Sequence, residues 1–488
     1  MNWYQWLTNK FSFSGRIWIF CVFLPLFVVV NAVKLDSGSV DGDAVAYVRC
    51  AYHILKHGTY SIDNSRKIAN PTAVRPPAYS WFLAQVMRVI PGLDEDGYAW
   101  VFPSQGKIHA PKNFVVVKYV QALLLLCTAF MIAWLARELT GSKRAGMVGL
   151  WCTAFHPFLS SYVNRVYVEV FGAFLITLMT AFLFLALKRR RAVFFILAGA
   201  LFGAIVLSYA QWKYIWPFTL FTLLVFALRN KGHLYKNLVC VFLFALAAFA
   251  VFHPWELRNE KLLGNAVISA GGGSVLSVRA HYNLMGPEAY ASSFLYWSRS
   301  PVLKWALKRF VDKKHYEVLM RDDPAGVYHK QKAYRKLMSR KYDRFIDFSR
   351  ALRAEAVQLI LQHPVRHILM CIPVAYRGMM NGTFSVFYIA VYALFGYGLW
   401  KAIRHSQWVV CSLLASPFFV YCFNMSVTHG LTRYNEQVTP LLVLGAIVGY
   451  CTWRRRKRLC QNGESGYIPG NSGVNLKEKS DHTACGAA

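Results

Sequence analysis

Charged residues are scarce in this sequence. They make up 16% of its 488 residues, whereas 56% of the residues are apolar. This balance argues against a soluble domain and indicates a polytopic membrane protein, for which the bilayer is the main solvent. Apolar runs close to the length of a full span recur along the whole chain, at 17–33, 114–136, 170–187 and 408–421.

Acidic residues are much scarcer than basic residues. The chain has 23 Asp and Glu residues against 55 Lys and Arg residues, which gives a formal net charge of +32. Such an excess can indicate a nucleic-acid partner, but many of the basic residues lie at the ends of apolar runs, where the positive-inside rule explains them. We therefore expect membrane lipids as partners and no nucleic acid.

The sequence also lacks paired cysteines, zinc-ligand spacings and a nucleotide-binding loop. Its 11 cysteines include no CxxC pair and lie mostly inside apolar runs, which is typical of small core residues. No two histidines have metal-ligand spacing on one helix, and Gly271-Gly-Gly-Ser274 lacks the lysine of a phosphate loop. The first apolar run has no convincing small-residue cleavage site, so we expect it to be retained as a span.

Clusters of Lys and Arg set the orientation of the predicted helices. All six clusters are best placed in the cytoplasm, and they lie at 10–16, 137–144, 188–191, 229–236, 401–404 and 454–458. About ten spans then alternate with both termini inside, near 17–35, 115–137, 146–163, 170–187, 192–209, 214–228, 238–253, 384–401, 407–427 and 438–453. Residues 79–90 are predicted to form a short helix at the outer interface, because an eleventh span would put later clusters on the wrong side.

This topology predicts an all-α polytopic membrane protein with two large external segments. The predicted parts are an N-terminal transmembrane module at 1–253 with its first external loop at 36–114, a basic external segment at 254–383, C-terminal helices at 384–453, and a disordered cytoplasmic tail at 454–488. The basic stretch 300–353 is either a surface for anionic lipid head groups or a solvated helical face.

Two aspartates, Asp41 and Asp43, follow the first span. Asp43 and Tyr47 are four residues apart and would share one face of a helix, while Asp41 would cap or flank its start. Glu169 lies at the predicted outer end of the fourth span, on the same side, where it either pairs with Arg165 or serves a site. Two carboxylates at one external site could act as general base and as electrostatic partner or metal ligand.

Three arginines, Arg75, Arg258 and Arg433, fall just outside predicted spans on the same side. Each alone is best interpreted as an interfacial anchor. Arginine also offers a planar, permanently charged fork that fits phosphate oxygens. Together with the carboxylates, the three predict a site that holds a phosphate.

The order of these motifs resembles a known family, the polyprenyl-phosphate-dependent membrane glycosyltransferases of the GT-C fold, which include protein O-mannosyltransferases and lipid A aminoarabinose transferases. The resemblance covers roughly residues 15–453. Its motifs are Asp43-Ala-Val-Ala-Tyr47, Arg75-Pro-Pro-Ala-Tyr79, Glu169, Pro254-Trp-Glu-Leu-Arg258-Asn259, His363-Pro364 and Arg433-Tyr434. Many relatives have Asp-Glu at the first acidic pair, whereas here Asp43 is followed by Ala44, which leaves Asp41 as a helix cap or a cation ligand.

The resemblance implies an activity and roles for individual residues. It implies transfer of a sugar from a polyprenyl-phosphate donor to a hydroxyl of a glycan, lipid or protein acceptor on the periplasmic side of a bacterial inner membrane. Asp43 would be the general base and Glu169 a second catalytic acid. The substrate-binding residues would be Asp41, Tyr47, Arg75, Tyr79, Arg258, Asn259, Arg433 and Tyr434.

Two matters stay open at this stage. No cofactor is required, although Asp41 and Asp43 could hold a divalent cation such as Mg²⁺ or Mn²⁺. A lipid-linked sugar flippase or transporter is the alternative function, since intramembrane charges could equally line a translocation path. The two large external segments and the lack of visible inverted repeats argue against a transporter.

Overall fold

The structure is a computed structural model that describes residues 22–32, 42–64, 69–95, 114–229, 231–298, 326–379 and 385–461, with separate positions between 301 and 320. Every regular element in these ranges is helical. The N-terminal helices are α1 (Leu24–Ala32), α2 (Gly42–His57), α3 (Ala78–Val89), α4 (Val115–Thr140), α5 (Lys143–Ala154), α6 (Pro157–Val163), α7 (Val168–Arg189), α8 (Ala192–Val206), α9 (Trp212–Arg229) and α10 (Leu234–Leu263).

The C-terminal half continues the same pattern. Its helices are α11 (Gly272–His281), α12 (Pro287–Trp297), α13 (Val327–Ser339), α14 (Phe345–Gln362), α15 (Pro364–Met379), α16 (Ser385–Arg404), α17 (Trp408–Val427), α18 (Arg433–Glu436) and α19 (Thr439–Gln461). The all-α prediction is confirmed for the described residues.

Four of the described helices are long and apolar enough to cross a bilayer. They are α4, α7, α10 and α17, with mean hydropathies of 2.1, 2.5, 2.2 and 1.6 over their best windows. In α10 only 28% of that window is buried inside the protein. Since such exposed apolar surface needs an apolar solvent, the chain is an integral membrane protein. The number of ten spans stays a prediction.

Several helix ends differ from the sequence expectation for local reasons. The predicted span 146–163 is two helices, because Pro157 lacks a backbone N–H and starts α6, while the His156 ring accepts from Leu159 N. Helix α8 ends at Val206, and a turn follows. Helix α10 runs through Pro254 to Leu263, so the predicted external segment begins inside a helix. Helix α3 matches the short helix predicted at 79–90.

Glycines let pairs of helices approach closely. In α8, a Cβ at Gly199 would meet the backbone of Phe244 in α10, and one at Gly203 would lie 2.6 Å from Ala248 O. In α16, a Cβ at Gly398 would lie 2.9 Å from the backbone of Gly449 in α19. These contacts are typical of membrane helix pairs, where small residues bring backbones together.

Candidate active site

Helix α2 carries both Asp43 and Tyr47 on adjacent turns, as the four-residue spacing predicted. Asp43 lies in the first turn of the helix. Tyr47 is buried, and its ring packs edge-on against Tyr79 of α3, with centroids 5.0 Å apart and planes at 88°. The contact packs α2 against α3 about one turn from Asp43.

Asp43 is held by two arginines from distant parts of the chain, which we call the arginine clamp. Arg75 Nη2 donates to Asp43 Oδ1, and Arg433 Nη2 donates to Asp43 Oδ2 at 2.6 Å. Side-chain exposures are 19% for Asp43, 34% for Arg75 and 26% for Arg433. Each carboxylate oxygen therefore has its own guanidinium in a partly desolvated setting, where charged hydrogen bonds are stronger than in bulk water.

Arg75 is positioned by backbone contacts on either side of it. The Tyr60 hydroxyl lies 3.1 Å from Arg75 O and 3.2 Å from Pro76 O, and donates toward both. After the two prolines, Ala78 N donates to Leu207 O at 3.0 Å, which ties the start of α3 to the turn after α8. The rigid Pro-Pro pair and these hydrogen bonds limit where the guanidinium can reach.

Arg433 stands on the short helix α18, which buried amides hold in place. Asn424 donates to Asn435 Oδ1 at 2.8 Å, and Gln437 donates to Tyr434 O at 2.8 Å. Trp212 Nε1 of α9 donates to Gln437 Oε1 at 2.8 Å. The sequence analysis missed these amides, although polar side chains close to apolar runs were the available signal.

Burial and charge set the protonation of the groups around Asp43. Burial raises the pKa of the Tyr47 phenol well above its ordinary value, so its hydroxyl remains neutral. Burial is the largest single influence on Arg433 and lowers its pKa, but Asp43, Tyr434 and Glu169 together outweigh burial and raise the pKa of that guanidinium. The guanidinium also lies over the rings of Tyr167 and Tyr434, 5.8 and 5.4 Å from their centroids. Arg433 thus stays a cation, with aromatic faces that stabilise it.

Glu169 lies beside the clamp. It occupies the first turn of α7 and is 5% exposed, and its Oε2 has no hydrogen-bond partner among the described residues. Arg433, Asp43 and Arg165 are all within electrostatic range of its carboxylate. The structure therefore brings the second predicted acid to the Asp43 site, while its predicted neighbour Arg165 also stays close.

Three other predicted site residues form hydrogen bonds to groups outside the clamp. Arg258 donates to Thr72 O at 2.9 Å and to Asn259 Oδ1 at 2.7 Å, and Asn259 donates to Val267 O. The Tyr79 hydroxyl donates to Gln121 Oε1 at 2.6 Å in the interior. Gln121 in turn donates to Val163 O and to Arg165 O, the segment that precedes Glu169. Gln121 is a further residue that the sequence analysis did not identify.

The predicted cation site consists of Asp41 and Asp43. Asp41 lies outside the described residues. Within the described ranges, no group of three or more His, Cys, Asp or Glu side chains is placed to hold a metal ion. Both oxygens of Asp43 already bond to guanidinium groups, so the donor set around Asp43 suits an anion better than a divalent cation.

Comparison with known proteins gives few matches. No protein-family model and no curated protein matches the chain. The crystal structure of ArnT from Cupriavidus metallidurans bound to undecaprenyl phosphate aligns with 92% of this chain and 80% of its own, at 15% identity and a TM-score of 0.41. ArnT from the same organism in the apo state covers the same shares, at 13% identity and a TM-score of 0.38.

Proposed function

We propose that this protein is a membrane glycosyltransferase of the GT-C type. It would move a sugar from a polyprenyl-phosphate donor to a hydroxyl of an envelope glycan, lipid or protein. The observation that carries the proposal is the arginine clamp: two guanidinium groups from opposite ends of the chain converge on one carboxylate, with a second buried carboxylate beside it. Four of the sequence motifs that resemble the GT-C family, those with Asp43, Arg75, Glu169 and Arg433, meet at this site.

The clamp suits a phosphate because a phosphate competes for the same hydrogen bonds. Arginine forks bind phosphate and carboxylate oxygens in similar geometry. A donor phosphate that enters the site would take N–H groups from Arg75 and Arg433. Asp43 would then lose its partners and become free to accept a proton. Donor binding would in this way activate Asp43 as the general base.

The reaction is then a single displacement at the anomeric carbon. The acceptor O–H gives its proton to Asp43, and the acceptor oxygen forms a bond to the anomeric carbon as the bond from that carbon to the phosphate oxygen breaks. The electron pair of the broken bond stays on the phosphate, which leaves as a polyprenyl phosphate with one more negative charge. The clamp stabilises that developing charge, and the configuration at the anomeric carbon inverts.

The proposal extends to the setting of the enzyme. We propose a bacterial inner membrane with the site toward the periplasm, since the basic clusters then lie in the cytoplasm. No cofactor takes part in the displacement, because the donor already carries an activated sugar.

The test is sugar transfer by purified Asp43→Asn protein in lipid nanodiscs. We expect transfer to fall by about 100-fold or more, as for loss of a general base. Binding of undecaprenyl phosphate should persist or tighten, because the competing carboxylate is gone. Asp94→Asn is the matched control: Asp94 also forms an ion pair, with Lys56 at 2.6 Å, but away from the clamp. Full transfer activity in the Asp43→Asn protein would refute Asp43 as the base.

A further inference from the structure

Two buried oxygens next to the clamp lack hydrogen-bond partners among the described residues. They are Glu169 Oε2 and the hydroxyl oxygen of Tyr209, and both atoms are shielded from solvent. The two groups interact electrostatically but are not hydrogen-bonded to each other. An unpaired buried polar atom typically costs about 1–3 kcal/mol, so such atoms need an explanation.

Gly172 fixes the position of Tyr209. It follows Glu169 by three residues, on the same side of α7. A Cβ at this position would collide with the Tyr209 ring and come within 2.9 Å of its hydroxyl oxygen. The ring therefore lies directly on the α7 backbone, about one turn from Glu169.

The turn after α8 holds Tyr209 from the other side. Leu207 O accepts from Ala78 N, and Tyr209 O accepts from Trp212 N, both at 3.0 Å. The ring packs against the apolar cluster that contains Tyr47 and Tyr79. Tyr209 is thus a fixed side chain with contacts to both α7 and the helix pair that carries Asp43.

A purely structural role does not account for the hydroxyl. Phenylalanine would fill the same space above Gly172 without burying an unpaired oxygen. A single polar group that reached both atoms would satisfy the phenol and the carboxylate of Glu169 at once. A sugar attached to a phosphate in the clamp would bring its hydroxyl or amino groups into this neighbourhood, because Glu169 lies within electrostatic range of Arg433 and Asp43.

We infer that Glu169 and Tyr209 form a sugar-recognition subsite beside the arginine clamp, with Tyr209 as a specificity-determining residue. The inference rests on the proposed function. The carboxylate accepts hydrogen bonds from the sugar, and the phenol donates one or accepts one. A site with hydrogen-bonding groups set for a hydroxyl rejects analogues that lack it, because its buried polar groups are then left unpaired.

The experiment compares the affinity of the full-length protein for two kinds of lipid. One is bare undecaprenyl phosphate, and the other is undecaprenyl phosphate linked to glucose, mannose or 4-amino-4-deoxyarabinose. We expect at least one sugar lipid to bind more tightly than the bare lipid. Tyr209→Phe should reduce that preference by about five- to tenfold, the effect of one hydrogen bond, and leave affinity for the bare lipid unchanged.

Three further variants sharpen the result. Tyr214→Phe makes the same chemical change on a tyrosine that is 52% exposed in α9, and it should alter neither affinity. Gly172→Ala should displace the Tyr209 ring and reproduce the loss of preference. Arg75→Gln should weaken both kinds of lipid together.

The outcomes separate the two proposals. If the wild-type protein binds no undecaprenyl lipid, the proposed function fails and the subsite fails with it. If bare lipid binds and Arg75→Gln weakens it, the phosphate site on which the proposed function rests is supported. The subsite is then overturned when wild type shows no preference for any sugar lipid, or when Tyr209→Phe leaves the preference intact. It is also overturned when Tyr209→Phe weakens binding of the bare lipid by the same factor as binding of the sugar lipid.

Discussion

At the scale of single residues, Asp43 has two states. Without substrate, Asp43 bonds to two arginines and balances their charge. In the proposed reaction, a phosphate replaces Asp43 as the hydrogen-bond partner of these arginines. The carboxylate therefore keeps the clamp in position when no donor is present. This arrangement avoids leaving two partly buried cations unpaired, which would destabilise the protein.

Substitution of Arg433 should separate the effect of charge from that of geometry. We expect Arg433→Gln to lower kcat by about 100-fold, as for loss of one donor that stabilises transition-state charge. Arg433→Lys should recover only part of the loss, because it restores the charge without the planar fork. Steady-state sugar transfer is the measurement, with Arg454→Gln at the exposed end of α19 as control. Wild-type kcat in the Gln variant would contradict the clamp.

His367 should make stability depend on pH. Arg279 Nη1 donates to Asn283 Oδ1 at 3.1 Å, so the amide nitrogen of Asn283 faces His367 Nδ1 at 3.3 Å. Burial, followed by the charge of Arg279, lowers the pKa of His367 to about 4 from an ordinary value of about 6.5. Between these pH values the imidazole is protonated in the unfolded chain but neutral in the folded protein. The free energy of unfolding should therefore fall as the pH drops from about 6.5 to 4.

The measurement is the unfolding temperature of the protein in detergent across this pH range. His367→Gln should flatten the dependence, because the titrating ring is gone while backbone acceptance from Arg279 can persist. His233→Gln, which changes a histidine exposed at the start of α10, should keep the wild-type slope. An unchanged slope in the His367 variant would refute this origin.

Single residues were predicted from sequence where the chemistry is local. Asp43 with Tyr47 followed from helical spacing, and Arg75 and Arg433 followed from their charge near span ends. Arg258 was grouped with them on the same grounds, yet it bonds to Thr72 O. Tyr209 gave no signal, because its significance comes from contact with Gly172, and no periodicity encodes that contact.

At the scale of helices, close packing depends on glycine. Helices α16 and α19 meet where Gly398 faces Gly449, and α19 contains Gly445 and Gly449 four residues apart. This spacing is the small-residue pattern of membrane helix pairs, which lets backbones approach. The apolar runs in the sequence predicted which segments form helices. They did not predict which helices pack against each other, because packing depends on the shapes of the helix surfaces.

Two glycines in α16 provide a matched pair of substitutions. A Cβ at Gly396 would meet nothing within 4 Å, whereas a Cβ at Gly398 would lie 2.9 Å from Gly449. We expect Gly398→Ala to destabilise the protein by about 1–3 kcal/mol through overpacking. Gly396→Ala should be neutral or slightly stabilising, since alanine favours helix. Thermal unfolding in nanodiscs measures both, and equal unfolding temperatures would contradict the packing.

At the scale of the whole molecule, the clamp joins the two ends of the chain. Asp43 and Arg433 are 390 positions apart, and Arg75 belongs to the N-terminal part. A phosphate bound between the arginines should therefore stabilise the N-terminal and C-terminal helices together. Ligands that bind only the folded state raise stability with the logarithm of their concentration.

Undecaprenyl phosphate should raise the unfolding temperature of the protein progressively with concentration. We expect Arg433→Gln to lose most of this shift in unfolding temperature, because one of the two arginines that bind the phosphate is gone. A chain ending at Gln461 keeps every residue of the clamp and should show the full shift. Undecaprenol, which lacks the phosphate, should produce none. A shift of equal size with undecaprenol would show that the lipid tail, and not the clamp, is responsible.

The distance along the chain between Asp43 and Arg433 also has a consequence for biosynthesis. Asp43 and Arg75 are made early, but Arg433 lies 390 positions after Asp43 and is added late in translation. A chain whose translation stops before the last helices contains Asp43 and Arg75 but lacks Arg433. Under the proposed function, transfer would begin only when synthesis and insertion of the chain are nearly complete, so truncated products in the membrane would not consume the lipid donor.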